Sequence, residues 1–68
     1  MKRISGRRMC TVVQQNGWKR KRINGSHHIF DKEGVDFPLT IPVHGNRALK
    51  PGTQAAIMKT AGISSTDL

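Results

Sequence analysis

A chain of 68 residues with 12 Lys plus Arg, 4 Asp plus Glu and a formal net charge of +8 is one small domain, residues 1–68, and has no room for a deep pocket around a large cofactor. It buries only about 60% of its unfolded surface, so any active site is shallow and made of few residues. The charge selects polyanions, either nucleic acid or an anionic surface, while no apolar run nears the roughly 20 residues that span a bilayer.

The first predicted element is a helix. Ser5 is a candidate N-cap, and Met9, Val12 and Val13 follow at i, i+3 and i+4 to give one apolar stripe. Arg7, Arg8, Gln14 and Gln15 are left for solvent, and Gly17 stands where a left-handed residue ends a helix. Three strands are predicted next. "WKRKRI" (18–23) alternates weakly, with basic residues through its middle. "SHHIFDK" (26–32) is rich in β-formers and is preceded by Asn24-Gly25, a strong hairpin signal. "FPLTIPV" (37–43) places Leu39, Ile41 and Val43 on one face and Thr40 and Pro42 on the other. Pro42 cannot donate to a ladder, so this strand is expected at an edge. A second helix is expected in "KPGTQAAIMKTAGIS" (50–64), opened by Pro51-Gly52 with Thr53 as candidate cap, and stopped at Gly62 with Ile63 folding back on the last turn. "SSTDL" reads as a frayed tail or the start of a further turn.

The order α-β-β-β-α predicts an α+β domain. Three short consecutive strands form an antiparallel meander, both helices cover one face, and the other face is open to solvent. The N-terminus has no signal-peptide h-region, and Cys10 has no second cysteine to pair with. Both features point to the cytoplasm.

The positive charge is clustered. Lys19, Arg20, Lys21 and Arg22 are consecutive, and Lys2, Arg3, Arg7 and Arg8 crowd the N-terminus. Strand side chains alternate faces, so two of the four residues 19–22 are expected to flank the open face. The hairpin leads this basic strand directly into His27 and His28. The plain alternative is a solvated strand whose charges protect an edge.

RNA makes few demands on such a surface because it carries its own nucleophile, the 2′-hydroxyl. A base must take that proton, an acid should protonate the leaving 5′-oxygen, and cations should hold the phosphate. Histidine can do either proton job near neutral pH. His27 and His28 point to opposite faces of a regular strand. If Phe30 is the core residue, His28 turns toward the helices and His27 toward the open face, unless a bulge follows Gly25.

Other chemistries fit less well. Adjacent strand histidines diverge, and one cysteine with His44 elsewhere matches no zinc-ligand spacing; no metal and no cofactor is expected. Cys10 lies beside apolar helix positions, a poor place for a nucleophile. No glycine loop cradles a phosphate. Asp31, Glu33 and Asp36 cluster near a turn, where solvation explains them. Trp18 could stack on a base, yet a lone large apolar residue after a helix stop is more simply core.

The stretches "NGWKRKRINGSHHIF", "LTIPVHGNRALKPGT" and "IMKTAGI" together resemble the HicA toxin family of bacterial type II toxin–antitoxin systems. The resemblance covers nearly the whole chain. It is carried by Gly17-Trp18, Arg22, Gly25-Ser26-His27, Pro42-Val43-His44, Pro51-Gly52-Thr53 and Ala61-Gly62-Ile63. It implies a fold like the double-stranded-RNA-binding domain and a ribosome-independent mRNA interferase, neutralised by a HicB antitoxin. It places the catalytic histidine at His27, with Gly25 as the turn residue that positions it and His28 as support. The expected RNA contacts are Lys19, Arg20, Lys21, Arg22, Gly25, Ser26 and Lys50. The antitoxin is expected to cover the open face, setting acidic side chains against Arg20, Arg22 or Lys50. The chain departs from the family pattern at Arg7, Arg8 and Cys10 in the first helix and at Pro38, which is expected to shorten the third strand. Two other classes fit the charge: an RNA-binding module without catalysis, and an interaction protein whose basic face meets an acidic partner.

Overall fold

A computed structural model describes all of residues 1–68. The elements are α1 (Gly6–Gln15), β1 (Lys19–Asn24), β2 (His27–Asp31), β3 (Leu39–Pro42) and α2 (Pro51–Ala61), followed by a short 3-10 turn at Ser65–Asp67. The strands form one antiparallel sheet in the order β1-β2-β3. This is the α-β-β-β-α arrangement that the patterning predicts. No helix is long and apolar enough to cross a membrane.

Helix α1 starts because Ser5 Oγ accepts the Arg8 N–H at 3.0 Å, which satisfies one of the free donors of the first turn. It ends in a pair of hydrogen bonds, Trp18 N–H to the Val13 carbonyl at 3.0 Å and Gly17 N–H to the Gln14 carbonyl at 3.2 Å. Gly17 sits at φ 94°, as this kind of stop requires. Helix α2 ends the same way. Ile63 N–H reaches the Met58 carbonyl at 2.9 Å, and Gly62 is left-handed at φ 71°. Its start differs from expectation. Lys50 is the N-cap, Pro51 is the first helical residue, and Thr53 lies inside the helix, with no side-chain cap. Proline presets the first helical φ, and its missing N–H is one of the first turn's orphan donors anyway, so the helix starts at Pro51 without a cap from Thr53.

The sheet buries one face. Phe30, Leu39 and Ile41 are buried with Met9, Val12 and Val13 of α1 and Ile57, Met58 and Ala61 of α2. Trp18 joins this core and donates from Nε1 to the Ala61 carbonyl at 3.3 Å, so it ties the end of α1 to the end of α2 and offers no free face to a base. Each such side chain contributes about 1.5–3 kcal/mol by leaving water. The N-terminal segment closes the far side. Ile4 and Leu49 are buried, a bridge pairs Ser5 with Ala48, and the Arg3 guanidinium donates to the Leu49 carbonyl at 2.9 and 2.6 Å. Arg3 is thus a structural cation, whatever its charge suggests. The last residues form a turn in which Ser64 N–H donates to Asp67 Oδ2 at 2.9 Å.

Candidate nucleic-acid interface and active site

The hairpin joining β1 to β2 has a two-residue loop. Asn24 pairs with His27, leaving Gly25 and Ser26 as the central residues. Gly25 has φ 62° and no residue other than glycine has positive φ. A positive φ at the first central position alone is the mark of a II′ turn with Gly-Ser at its centre. The Asn-Gly signal therefore locates the hairpin but not its centre, which lies one residue further on.

That one residue decides which residue of β1 stands opposite His27. Facing partners across a ladder share a sheet face. His28 is opposite Ile23 and Ile41, and Phe30 is opposite Arg20 and Leu39; Phe30, Leu39 and Ile41 make this the helix-packed side. His27, opposite Asn24 and Pro42, and Ile29, opposite Arg22 and Thr40, lie on the open side. His27 is exposed and His28 only partly so. The Nδ1 of His28 is buried without a hydrogen-bond partner, a loss worth about 1–3 kcal/mol.

The basic strand is not regular. Arg20 faces Phe30 while Arg22 faces Ile29, so Lys21 is the extra residue of a β-bulge. The bulge puts Lys21 and Arg22 together on the wall of an open-face cleft with Ile29, Asp31, Asp36 and Phe37. Lys19, opposite Asp31, belongs to the same side. Arg20 is left in the helix-facing row, at its exposed edge. Three of the four basic residues therefore share the face of His27, where strict alternation predicts two. The cleft also takes in Asp31 and Asp36, so these carboxylates face cations as well as water. Phe37 is half-exposed at its rim, a position that sequence reasoning did not single out.

On the other side of His27, the edge strand carries Pro42. Val43 N–H donates to the Ser26 carbonyl at 2.8 Å, which makes the adjoining His27–Pro42 pair non-hydrogen-bonded. Proline is tolerated there because its missing N–H would have pointed to the free edge. Beside Pro42 opens a pocket lined by His44, Arg47, Leu49, Lys50 and Thr53. The structure thus separates Lys50 from the β1 cations and places it on the opposite flank of His27. Arg47 joins it there, and no sequence signal marks Arg47.

No group of three or more His, Cys, Asp or Glu converges on one point. Cys10 is partly buried, and burial pushes its thiol pKa up, against weaker downward pulls from the Arg20 charge and a backbone hydrogen bond. A thiol that holds its proton is a poor nucleophile.

A search of curated proteins finds no match. The family described as the HicA toxin of bacterial toxin-antitoxin matches residues 6–63, from the first residue of α1 to the residue that follows the stop of α2. With nearly the whole fold inside that match, the chain belongs to the HicA toxin family.

Proposed function

We propose that this toxin is a metal-independent endoribonuclease, an mRNA interferase that halts translation by cutting mRNA in the cytoplasm. The observation that carries the reading is the placement of His27. It stands exposed on the open face beside a glycine turn, with Lys19, Lys21 and Arg22 on the same face and Lys50 on its other flank.

The chemistry asks little more of the protein. His27 accepts the 2′-hydroxyl proton, and the freed oxygen attacks the adjacent phosphorus. The β1 cations offset the charge that builds on the non-bridging oxygens. Gly25 and Ser26 set the position of the imidazole, because the turn makes His27 the first residue of β2, opposite Asn24. His28 contributes through packing, since its ring faces Ile23 and Ile41. Arg20 adds to the field from the edge.

The test is incubation of the purified chain with RNA in EDTA. Cleavage should persist in chelator and disappear in His27→Ala, while that variant still binds RNA. His27 is exposed, so the substitution should leave folding intact. Binding with no scission by the wild type would favour a basic RNA-binding module instead.

As a member of a toxin–antitoxin family the chain has an antitoxin partner. A HicB-type antitoxin would inhibit most simply by laying acidic side chains over the open face and burying His27, with Arg22 on one flank and Lys50 on the other. His27→Ala should then abolish toxicity and leave the complex intact. A structure of the pair with His27 open to solvent would rule out direct occlusion.

A further inference from the structure

A base alone leaves the reaction half-served, because the departing 5′-oxygen needs a proton. His28 cannot supply it, since its ring lies on the other side of the sheet. The pocket beside Pro42 holds a different imidazole. Pro42 is the direct cross-strand neighbour of His27, and His44 lies two residues beyond Pro42 in the wall of the same pocket. A non-hydrogen-bonded pair sets Cα atoms about 4.5 Å apart, and two extended residues add roughly 6–7 Å along the chain. By these spacings the Cα atoms of His27 and His44 stand roughly 8 Å apart, which lets both imidazoles reach a single phosphodiester. The pocket measures about 290 Å³, at the small end for ligand sites and suited to a nucleotide's sugar and phosphate. Arg47, Lys50 and Thr53 complete its polar wall.

We propose that this pocket is the leaving-group side of the active site and that His44 is the general acid. The inference rests on the reading of His27 as the general base. His27 takes the proton from O2′, and O2′ forms a bond to phosphorus. The bond from phosphorus to O5′ breaks, and His44, starting as imidazolium, gives its proton to O5′. The products are a 2′,3′-cyclic phosphate and a free 5′-hydroxyl, with no oxidant, metal or water consumed. Arg47 and Lys50 hold the non-bridging oxygens or the next phosphate, and a guanidinium cannot itself act as proton donor. Imidazole is the side chain in this wall that exchanges protons readily near neutral pH. Both histidines are exposed, so the division of labour costs the fold nothing.

The experiment compares ordinary RNA with RNA whose scissile 5′-oxygen is replaced by sulfur, a leaving group that needs no proton. Wild type, His27→Ala, His44→Ala and His44→Gln are assayed on both, with circular dichroism to confirm folding. On ordinary RNA His44→Ala should be slower by about 10²–10⁴-fold, the usual worth of a general acid. On the sulfur substrate it should recover to within a few-fold of wild type, whereas His27→Ala should stay slow on both. The alkaline limb of the pH–rate profile should vanish in His44→Ala, because that limb reports loss of the acid's proton. If His44→Ala is equally slow on both substrates, or equally fast as wild type on ordinary RNA, the assignment of His44 is overturned while the ribonuclease reading stands. If wild type cuts neither substrate, both fall together.

Discussion

Gly6, the first residue of α1, lies so close to Pro42 that a Cβ built on it would overlap the Pro42 carbonyl. The start of the helix therefore rests directly on the end of the strand that faces His27. Alanine is the better helix former by up to about 1 kcal/mol, yet the obstacle here is backbone and cannot rotate aside. Overpacking of this kind costs about 1–3 kcal/mol, so the clash outweighs the propensity. Gly6→Ala should lower the urea midpoint with little change in m-value. It should also slow RNA cleavage, because the strand end that it displaces borders the site. An unchanged midpoint would show that α1 has slack against β3.

Gln54 is a polar side chain with no exposure, and it is satisfied from both ends. Its Oε1 accepts the Ile4 N–H at 3.1 Å and its Nε2 donates to the Lys2 carbonyl at 2.6 Å. It clips the N-terminal segment to α2. Gln54→Ala leaves a buried N–H without a partner, which costs about 1–3 kcal/mol. A domain of this size holds about 3–5 kcal/mol in all, so the variant should melt well below wild type. Amide exchange at Ile4 and Leu49 should quicken more than at Phe30. Equal acceleration everywhere would mean that the clip has no local role.

Gln54 also marks where the sequence stops being legible. The stripe through Ile57 and Ala61 is readable from spacing, but Gln54 and Met58 complete the same face at i, i+3, i+4 and i+7. A glutamine in that row looks like a solvent residue until a partner segment is known. That segment, residues 2–5, is distant in sequence, and no periodicity announces it. The site divides in the same way. His27 on the open face follows from Phe30 being core, which is a local argument. The bulge at Lys21 and the pocket beside Pro42 depend on strand register and on the return of the chain through Arg47, and pattern alone does not fix either. Helix stops at Gly17 and Gly62 are legible because the left-handed backbone they need favours glycine.

The Cys10 thiol is held above its ordinary pKa by burial. The folded thiol thus keeps its proton more firmly than the unfolded one. Its contribution to stability is complete below the unfolded thiol's titration range and is lost as pH rises through the folded one. Cys10→Ala should flatten the alkaline part of the stability–pH curve and leave the acid part unchanged. Alkylation of Cys10 at neutral pH should be slower in the folded chain than in guanidinium. Equal rates in the two states would contradict the burial.

The bulge in β1 makes a prediction that composition alone does not. Four consecutive cations would contribute alike if the strand were a featureless basic rod. The register instead puts Lys19, Lys21 and Arg22 on the face of His27 and Arg20 in the row of Phe30. RNA binding is best measured in a His27→Ala background, so that the substrate survives. Removing one cation that neutralises a phosphate should reduce the slope of log K against log salt by about 0.7 for a single strand. Lys21→Ala and Arg22→Ala should each show that drop and weaken binding at low salt. Arg20→Ala should leave the slope nearly unchanged, since its side chain reaches the open face only around the sheet edge. Equal effects at all three positions would mean that RNA wraps the edge of β1 rather than lying across the open face, and the approach to His27 would then have to be redrawn from that edge.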